Sequence, residues 1–390
     1  MLIRDDSDNA KRAATALPPD QSHPGNAAVR RCIALAATSV ILSIGPPASI
    51  AATLRVCASG CQYSTIQSAI DAAQIFDTIR VGPGTYAETL HMTLPLAKTL
   101  TLNGSGAKKT IVDAGGQNCV LVIGQGFTLA VTGMTFTNGG GNLFPGSGIT
   151  NFGSLTLTNV TVSHSTGSGG AIVNEGALTT RRTTVSDNLA TDIGAGGGIV
   201  NFGALLVNNS TVSGNTTQLG SGAGIDNSGQ AMVVGSSIIN NSASAGPGGG
   251  LENLPLPPLN ATLTLIDTVV SHNTALAGGG IENQGTLTMI RSPLRNNTAT
   301  IAGGGLAMNF DGSTAELTNS PVTGNSSSEG GGIYLTSGTV TLTLNRSRVS
   351  ANTATTDGGG IDNASSGTVT LNKSPVRNNT PNQCINVPGC

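Results

Sequence analysis

The sequence predicts an all-β chain: a right-handed, single-stranded parallel β-helix, built as a three-sided solenoid of about twelve coils with one N-terminal capping helix. Three observations predict it. A glycine cluster followed by an aliphatic residue returns at Ile149, Ile172, Ile199, Ile225, Leu251, Ile281, Leu306, Ile333 and Ile361, with anchors 23 to 30 residues apart. At that period one repeat is one coil, which buries its apolar side only by stacking on its neighbours. Each repeat also carries short runs, of the form Thr-Leu-Thr-Leu and Ser-x-Val-Ser, in which apolar residues alternate with hydroxyls. As period-two strands these put aliphatic side chains inside and Thr and Ser outside. Finally, Asn188, Asn215, Asn241, Asn273, Asn297, Asn325, Asn352 and Asn379 stand three residues beyond a Val/Ile/Leu column. Asn tolerates left-handed backbone, and stacked amides bond from coil to coil, so this column marks a repeated corner. The expected hand follows from the right-handedness of parallel crossovers.

Residues 1–51 read as an N-terminal extension and signal peptide. Arg30-Arg31, an apolar run from Cys32 to Ile44, and small residues ending Ser49-Ile50-Ala51 describe an export signal cut after Ala51. The apolar run falls short of the roughly 20 residues a spanning helix needs, so no integral membrane span is expected in the mature chain. Residues 52–77 form a disulfide turn and the capping helix. Ser64-Thr-Ile-Gln67 is a capping box, and Ile66, Ala69, Ile70 and Ala73 share one face of a helix from about 64 to 74. Residues 78–380 form the parallel β-helix, with three strand pieces per coil, and residues 381–390 a C-terminal disulfide loop. Cys57 with Cys61, and Cys384 with Cys390, are close pairs at the two ends of an exported chain and read as local disulfides. Cys119 is left over and expected in the core as a small hydrophobe. The expected location is secreted, extracellular or at the cell surface.

Formal net charge is −2, so no global basic field draws the chain to nucleic acid or an anionic membrane. Aromatics make up 3% of the chain and Trp is absent, which argues against a sugar-stacking platform. No Ser-His-Asp set, phosphate loop or metal-spacing motif appears.

Cys57-Ala-Ser-Gly-Cys61, Tyr63-Ser-Thr-Ile-Gln67, Asp77-Thr78-Ile79 and Gly82-Pro83-Gly84-Thr85-Tyr86 resemble the start of pectin-lyase-like β-helix proteins. The repeats Gly-Gly-Gly-Ile-x-Asn, Leu-Thr-Leu and Ser-x-Val-Ser-x-Asn-Thr-Ala resemble exported β-helix repeat proteins and polymorphic outer-membrane protein passengers. The resemblance implies the fold. It implies no single activity, since that fold carries lyases, hydrolases, esterases, epimerases and adhesins. Gly84-Thr85-Tyr86-Ala87-Glu88 is similar to the Gly-x-Tyr-x-Glu of pectin methylesterases, but their later catalytic motifs have no match here. The signatures of polygalacturonases are missing as well.

Two constellations carry potential chemistry. The residue after the anchor is Asp226, Glu252 and Glu282 in three consecutive coils, and Asp362 further on. Next to an inward residue, each is expected to point outward, at an exposed position about 5 Å from its neighbour. Carboxylates so close raise one another's pKa or share a cation such as calcium, which suits glycoside chemistry or bridging to acidic sugars. A basic group of Arg291, Arg295, Arg346, Arg348, Lys373 and Arg377 is suited to uronate carboxylates, with Arg346 and Lys373 as ligand-binding candidates. His164 and His272 share a turn position four coils apart, too distant to cooperate. Near-uniform repeats and missing enzyme signatures favour a non-catalytic module for adhesion, glycan contact or structure, with polysaccharide or a cell surface as partner. The alternative is a polysaccharide lyase, hydrolase or epimerase acting through Asp226, Glu252 and Glu282.

Overall fold

The computed structural model describes residues 51–93, 97–141, 146–192, 196–257, 260–336, 338–365 and 367–390. The signal-peptide segment lies outside the described residues. The rest is an all-β parallel solenoid of about twelve coils with a single helix among the described residues.

Strands of two to five residues cannot stand alone; each is held by the same segment of the coils before and after it. In a representative coil the chain runs through Ile199–Asn201 (sheet I), Ala204–Asn208 (sheet II), Thr211–Ser213 (sheet III) and Thr216–Thr217 (sheet IV). Sheet I extends from Leu90–Met92 to Cys384–Ile385, sheet II from Thr53–Val56 to Thr368–Asn372, and sheet III from Gly84–Ala87 to Val376–Arg377. Sheet IV is shorter, from Thr166–Gly167 to Thr353–Asp357. The expected three pieces per coil are therefore four through most of the stack. The sequence pattern hid the fourth because its first four strands are two residues long and the later ones, such as Thr298–Ala302 and Thr353–Asp357, do not sustain an alternation of apolar with polar.

Pairing is parallel and in register, so like meets like. Leu155 sits on Leu178 and Leu178 on Leu205, while Val162 sits on Val185 and Val185 on Val212. These columns are buried and form one continuous core. Thr180, the polar member of its column, is also buried, and its hydroxyl donates to Ser210 Oγ at 3.3 Å.

The corner asparagines behave as their periodicity predicts. Each amide donates from Nδ2 to the Oδ1 of the next, from Asn188 through to Asn379, over 2.8 to 3.1 Å. A second ladder, Asn151, Asn174, Asn201, Asn227, Asn253 and Asn283, runs along sheet I at 2.7 to 2.8 Å. Every amide in these columns is buried, and an unmade bond there carries the full desolvation cost.

Both ends depart from expectation in instructive ways. The solenoid starts before the helix: Thr53–Val56 pairs with Thr78–Val81 in sheet II. The helix spans Ile66–Ala72 with Thr65 as N-cap, one residue later than the capping box implied. Its first amides go to the Glu88 carboxylate, Ile66 N at 2.8 Å and Gln67 N at 3.0 Å. Gln67 instead accepts from His91 N at 2.8 Å, so it is not free to close a box. Ile66, Ala69, Ile70 and Ala73 are buried, as the spacing requires. At the other end Cys384–Ile385 adds to sheet I beside Ile361–Asp362. Gln383 Oε1 accepts from Asn379 Nδ2 at 3.1 Å and ends the corner ladder with a side chain of the same chemistry. Cys57 pairs with Cys61 and Cys384 with Cys390, while Cys119 is buried and unpaired.

Candidate functional site

Asp226, Glu252 and Glu282 lie in register on consecutive strands of sheet I, each pointing away from the main core. They are nevertheless not exposed: Asp226 is 7% accessible, Glu252 2% and Glu282 0%. The expectation of an exposed column is corrected, and sheet IV is the reason. After sheet III the chain runs back across the outer side of sheet I, turns on glycine, and only then enters the next sheet I strand. The facing residues of sheet IV are small, with Thr217, Ala243 and Ala275 all buried. Ala223, Ala243 and Ala275 make an apolar cluster of their own, apart from the main core.

Glycine lets this roof sit close. Gly222, Gly248 and Gly278 all have positive φ, at 59°, 69° and 57°. A Cβ on Gly222 would lie 2.7 Å from Asp226 Cβ, one on Gly248 2.9 Å from Glu252 Cβ, and one on Gly278 2.7 Å from Glu282 N. No side chain fits between turn and carboxylate.

Electrostatics follow from this burial. Desolvation pushes Glu282 up to about 8, helped by the neighbouring Glu252 charge. Desolvation pushes Glu252 up to about 7, against a hydrogen bond donated by Ser221 Oγ to its Oε2. Asp226 is raised well above the carboxylate range, by desolvation and then by Glu252. Both Glu282 oxygens lack a hydrogen-bond partner among the described residues. Burial without a counter-charge favours the neutral acid. Among the described residues no three His, Cys, Asp or Glu side chains are grouped to hold one metal ion.

Asp362 belongs to a separate group. It pairs in register with Tyr334, while Glu329 pairs with Asp357 in sheet IV. Burial raises Asp362, with smaller contributions from Glu329 and Asp357. The Tyr334 phenol hydrogen-bonds Glu329, and burial raises its pKa. Sequence reading missed Ser221, Tyr334, Glu329 and Asp357, which only the fourth sheet and its turns bring into play.

The basic residues occupy another part of the coil, the corner between sheets II and III. Arg291, Arg346 and Lys373 take left-handed backbone there, at φ of 49°, 50° and 52°. Arg291 is bidentate to Asp267 of the preceding coil, Nε to Oδ1 at 2.7 Å and Nη2 to Oδ2 at 2.8 Å. Arg346 Nε donates to Asn319 Oδ1 at 3.1 Å. Arg346 and Lys373 line a shallow groove of about 520 Å³ with Thr318, Asn345, Leu371 and Asn372. Arg295, Arg348 and Arg377 are exposed nearby, beside or on sheet III. His164 and His272 sit at the corner after sheet III, at φ of 55° and 57°, and are not brought together. Glu88 of the Gly-x-Tyr-x-Glu motif caps the helix, and Tyr86 Oη donates to Gly82 O at 3.0 Å. In this chain both act structurally.

No family model matches the chain, and no curated protein matches it. Among solved structures it is similar to the Azotobacter vinelandii mannuronan C-5 epimerase AlgE4 A-module, at 14% identity over 83% of this chain and 95% of that one, with TM-score 0.48. The AlgE6 A-module of the same organism gives 15% identity over 82% and 92%, with TM-score 0.43. Pectin methylesterase from carrot gives 12% over 89% and 88%, with TM-score 0.29. At these scores the likenesses bear on none of the site chemistry. The two disulfides suit an oxidising compartment. Among the described residues no helix is long and apolar enough to cross a membrane.

Proposed function

We propose that the chain is an exported, non-catalytic rod that contacts polysaccharide or a cell surface along its repeated faces. One observation carries this reading: the stacked carboxylates best suited to acid–base work, Asp226, Glu252 and Glu282, are sealed beneath glycine turns. A polymer chain cannot bring a glycosidic oxygen within hydrogen-bond reach of them, and that reach comes before pKa in selecting a general acid. The faces that do meet solvent carry runs of hydroxyls such as Thr156 and Thr179, and Thr264 and Thr288, on sheet II, with Leu206 and Met232 between the two runs. Such runs repeat at about 4.8 Å, which suits extended, hydrogen-bonding ligands more than a single small molecule.

The raised pKa values of Glu252 and Glu282 favour a second reading, in which opening of the roof exposes an acid pair of a lyase, hydrolase or epimerase. Incubation with acidic and neutral polysaccharides, with and without calcium, separates the two. Binding without unsaturated products or new reducing ends supports the rod. Turnover that disappears in Glu252→Gln overturns it.

A further inference from the structure

The corner between sheets II and III is filled, coil by coil, by Gly133, Asn159, Arg182, Asn209, Gly235, Asp267, Arg291, Asn319, Arg346 and Lys373, all at positive φ. Where a cation occurs in this column, the coil before it offers an acceptor. Arg182 Nε donates to Asn159 Oδ1 at 3.0 Å, Arg291 pairs with Asp267, and Arg346 reaches Asn319. Lys373 breaks the rule, because the residue before it in the column is Arg346. The coils are held in register here, with Asn345 on Asn372 and Arg346 N donating to Asn372 O at 2.8 Å. Two cationic residues are therefore rooted about 4.8 Å apart by coil stacking, with the Arg346 guanidinium turned toward Asn319 of the coil before.

Residues 341–350 and 368–377 contribute Arg346, Arg348, Lys373 and Arg377 and no acid. The carboxylate of Glu316, one coil earlier on sheet II, is held by Asn345 Nδ2 at 2.8 Å. Long basic side chains in left-handed backbone add a conformational cost at a slot that elsewhere is mostly Asn or Gly, with Arg182, Asp267 and Arg291 the other exceptions. Adjacent cationic residues, a groove open to solvent, and the Thr318 hydroxyl and Asn372 amide on its lining together describe an anion subsite, with the Asn345 amide already committed to Glu316 and Thr318.

We propose that the Arg346–Lys373 corner binds carboxylate or sulfate groups of an acidic polysaccharide. This deepens the reading of the chain as a polysaccharide-contacting rod and rests on it. A polymer is favoured over a small anion because the groove is shallow and continues into the hydroxyl column of sheet II. A nucleic acid is disfavoured because no aromatic side chain lines the groove.

The test replaces Arg346→Asn and Lys373→Asn together, the residue this corner carries at Asn159, Asn209 and Asn319, so the backbone requirement is kept. Binding of polygalacturonate, neutral dextran and a single-stranded DNA oligonucleotide is measured by calorimetry at low and moderate salt. The wild-type chain is expected to bind polygalacturonate, and the double variant to bind it about tenfold or more weakly. Arg182→Asn, at the same corner but several coils away, is expected to leave affinity unchanged. Equal affinity of double variant and wild type overturns the subsite and leaves the rod reading intact. Oligonucleotide binding as tight as polygalacturonate binding overturns the assignment to an acidic glycan. Absence of binding to any polysaccharide overturns both.

Discussion

Raising the pH should destabilise this protein through its buried carboxylates, and Glu282 gives the clearest measurement. In the fold Glu282 is fully buried, both its oxygens lack partners among the described residues, and its pKa is pushed from 4.5 to about 8. Between those values the unfolded chain has released the proton while the folded chain retains it. The unfolded state then binds fewer protons, so stability falls as pH rises. The contribution is fully present below pH 4.5 and lost by the time pH passes about 8. At about 1.4 kcal/mol per pH unit, the loss approaches 5 kcal/mol, an upper figure because ionisation admits water and lets the roof relax. Glu252, raised from 4.5 to about 7, adds a coupled loss that is not separately additive. Glu282→Gln keeps the shape and removes the titration. Urea melts followed by circular dichroism at pH 5, 7 and 9 should show wild type losing several kcal/mol relative to the variant. If the difference between the two proteins does not change across that range, the burial argument is wrong.

Three further outcomes follow from the same geometry. Asn273→Ala removes an amide that accepts from Asn241 N and Nδ2 and donates to Ile238 O and Asn297 Oδ1. Leaving those buried groups unpaired should cost about 2–4 kcal/mol in chemical denaturation. Gly248→Ala places a Cβ 2.7 Å from Leu251 O in left-handed backbone. It should lower stability by about 1–3 kcal/mol and speed amide exchange in the turns over Glu252. Glu88→Ala frees Ile66 N and Gln67 N, so hydrogen exchange should rise through residues 66–72, with a loss of about 1 kcal/mol and no change in the middle coils.

Most of the stack was legible because its signals are periodic and local. The aliphatic anchors, the Leu and Val columns and the Asn188-to-Asn379 ladder each repeat at one slot, and parallel pairing converts a slot into a column. The helix was legible from the buried face of Ile66, Ala69, Ile70 and Ala73. Its cap was not, because Glu88 reaches it from 22 residues away. The candidate acids were found by their spacing, but their environment was misjudged. A residue beside an inward anchor does point outward from sheet I, yet solvent access depends on whether another layer lies over it. The signal for that layer was present: Ala190, Thr217, Ala243, Ala275, Ala299, Ser327 and Ala354 stand two residues after the corner Asn of seven successive coils, and all are buried. A column of small residues facing a column of acids marks a second interior. Strands that are two residues long or do not sustain an alternation gave it no periodicity to betray it.

Chemical access to the acids is the most direct check on that second interior. Native protein can be treated with a water-soluble carbodiimide and an amine at mildly acidic pH, then mapped by peptide mass. Exposed carboxylates such as Glu175 and Asp187 should be modified rapidly, while Asp226, Glu252 and Glu282 stay untouched until the protein is unfolded. Modification of those three at the rate of Glu175 would place them in solvent and contradict the sealed column on which the non-catalytic reading stands.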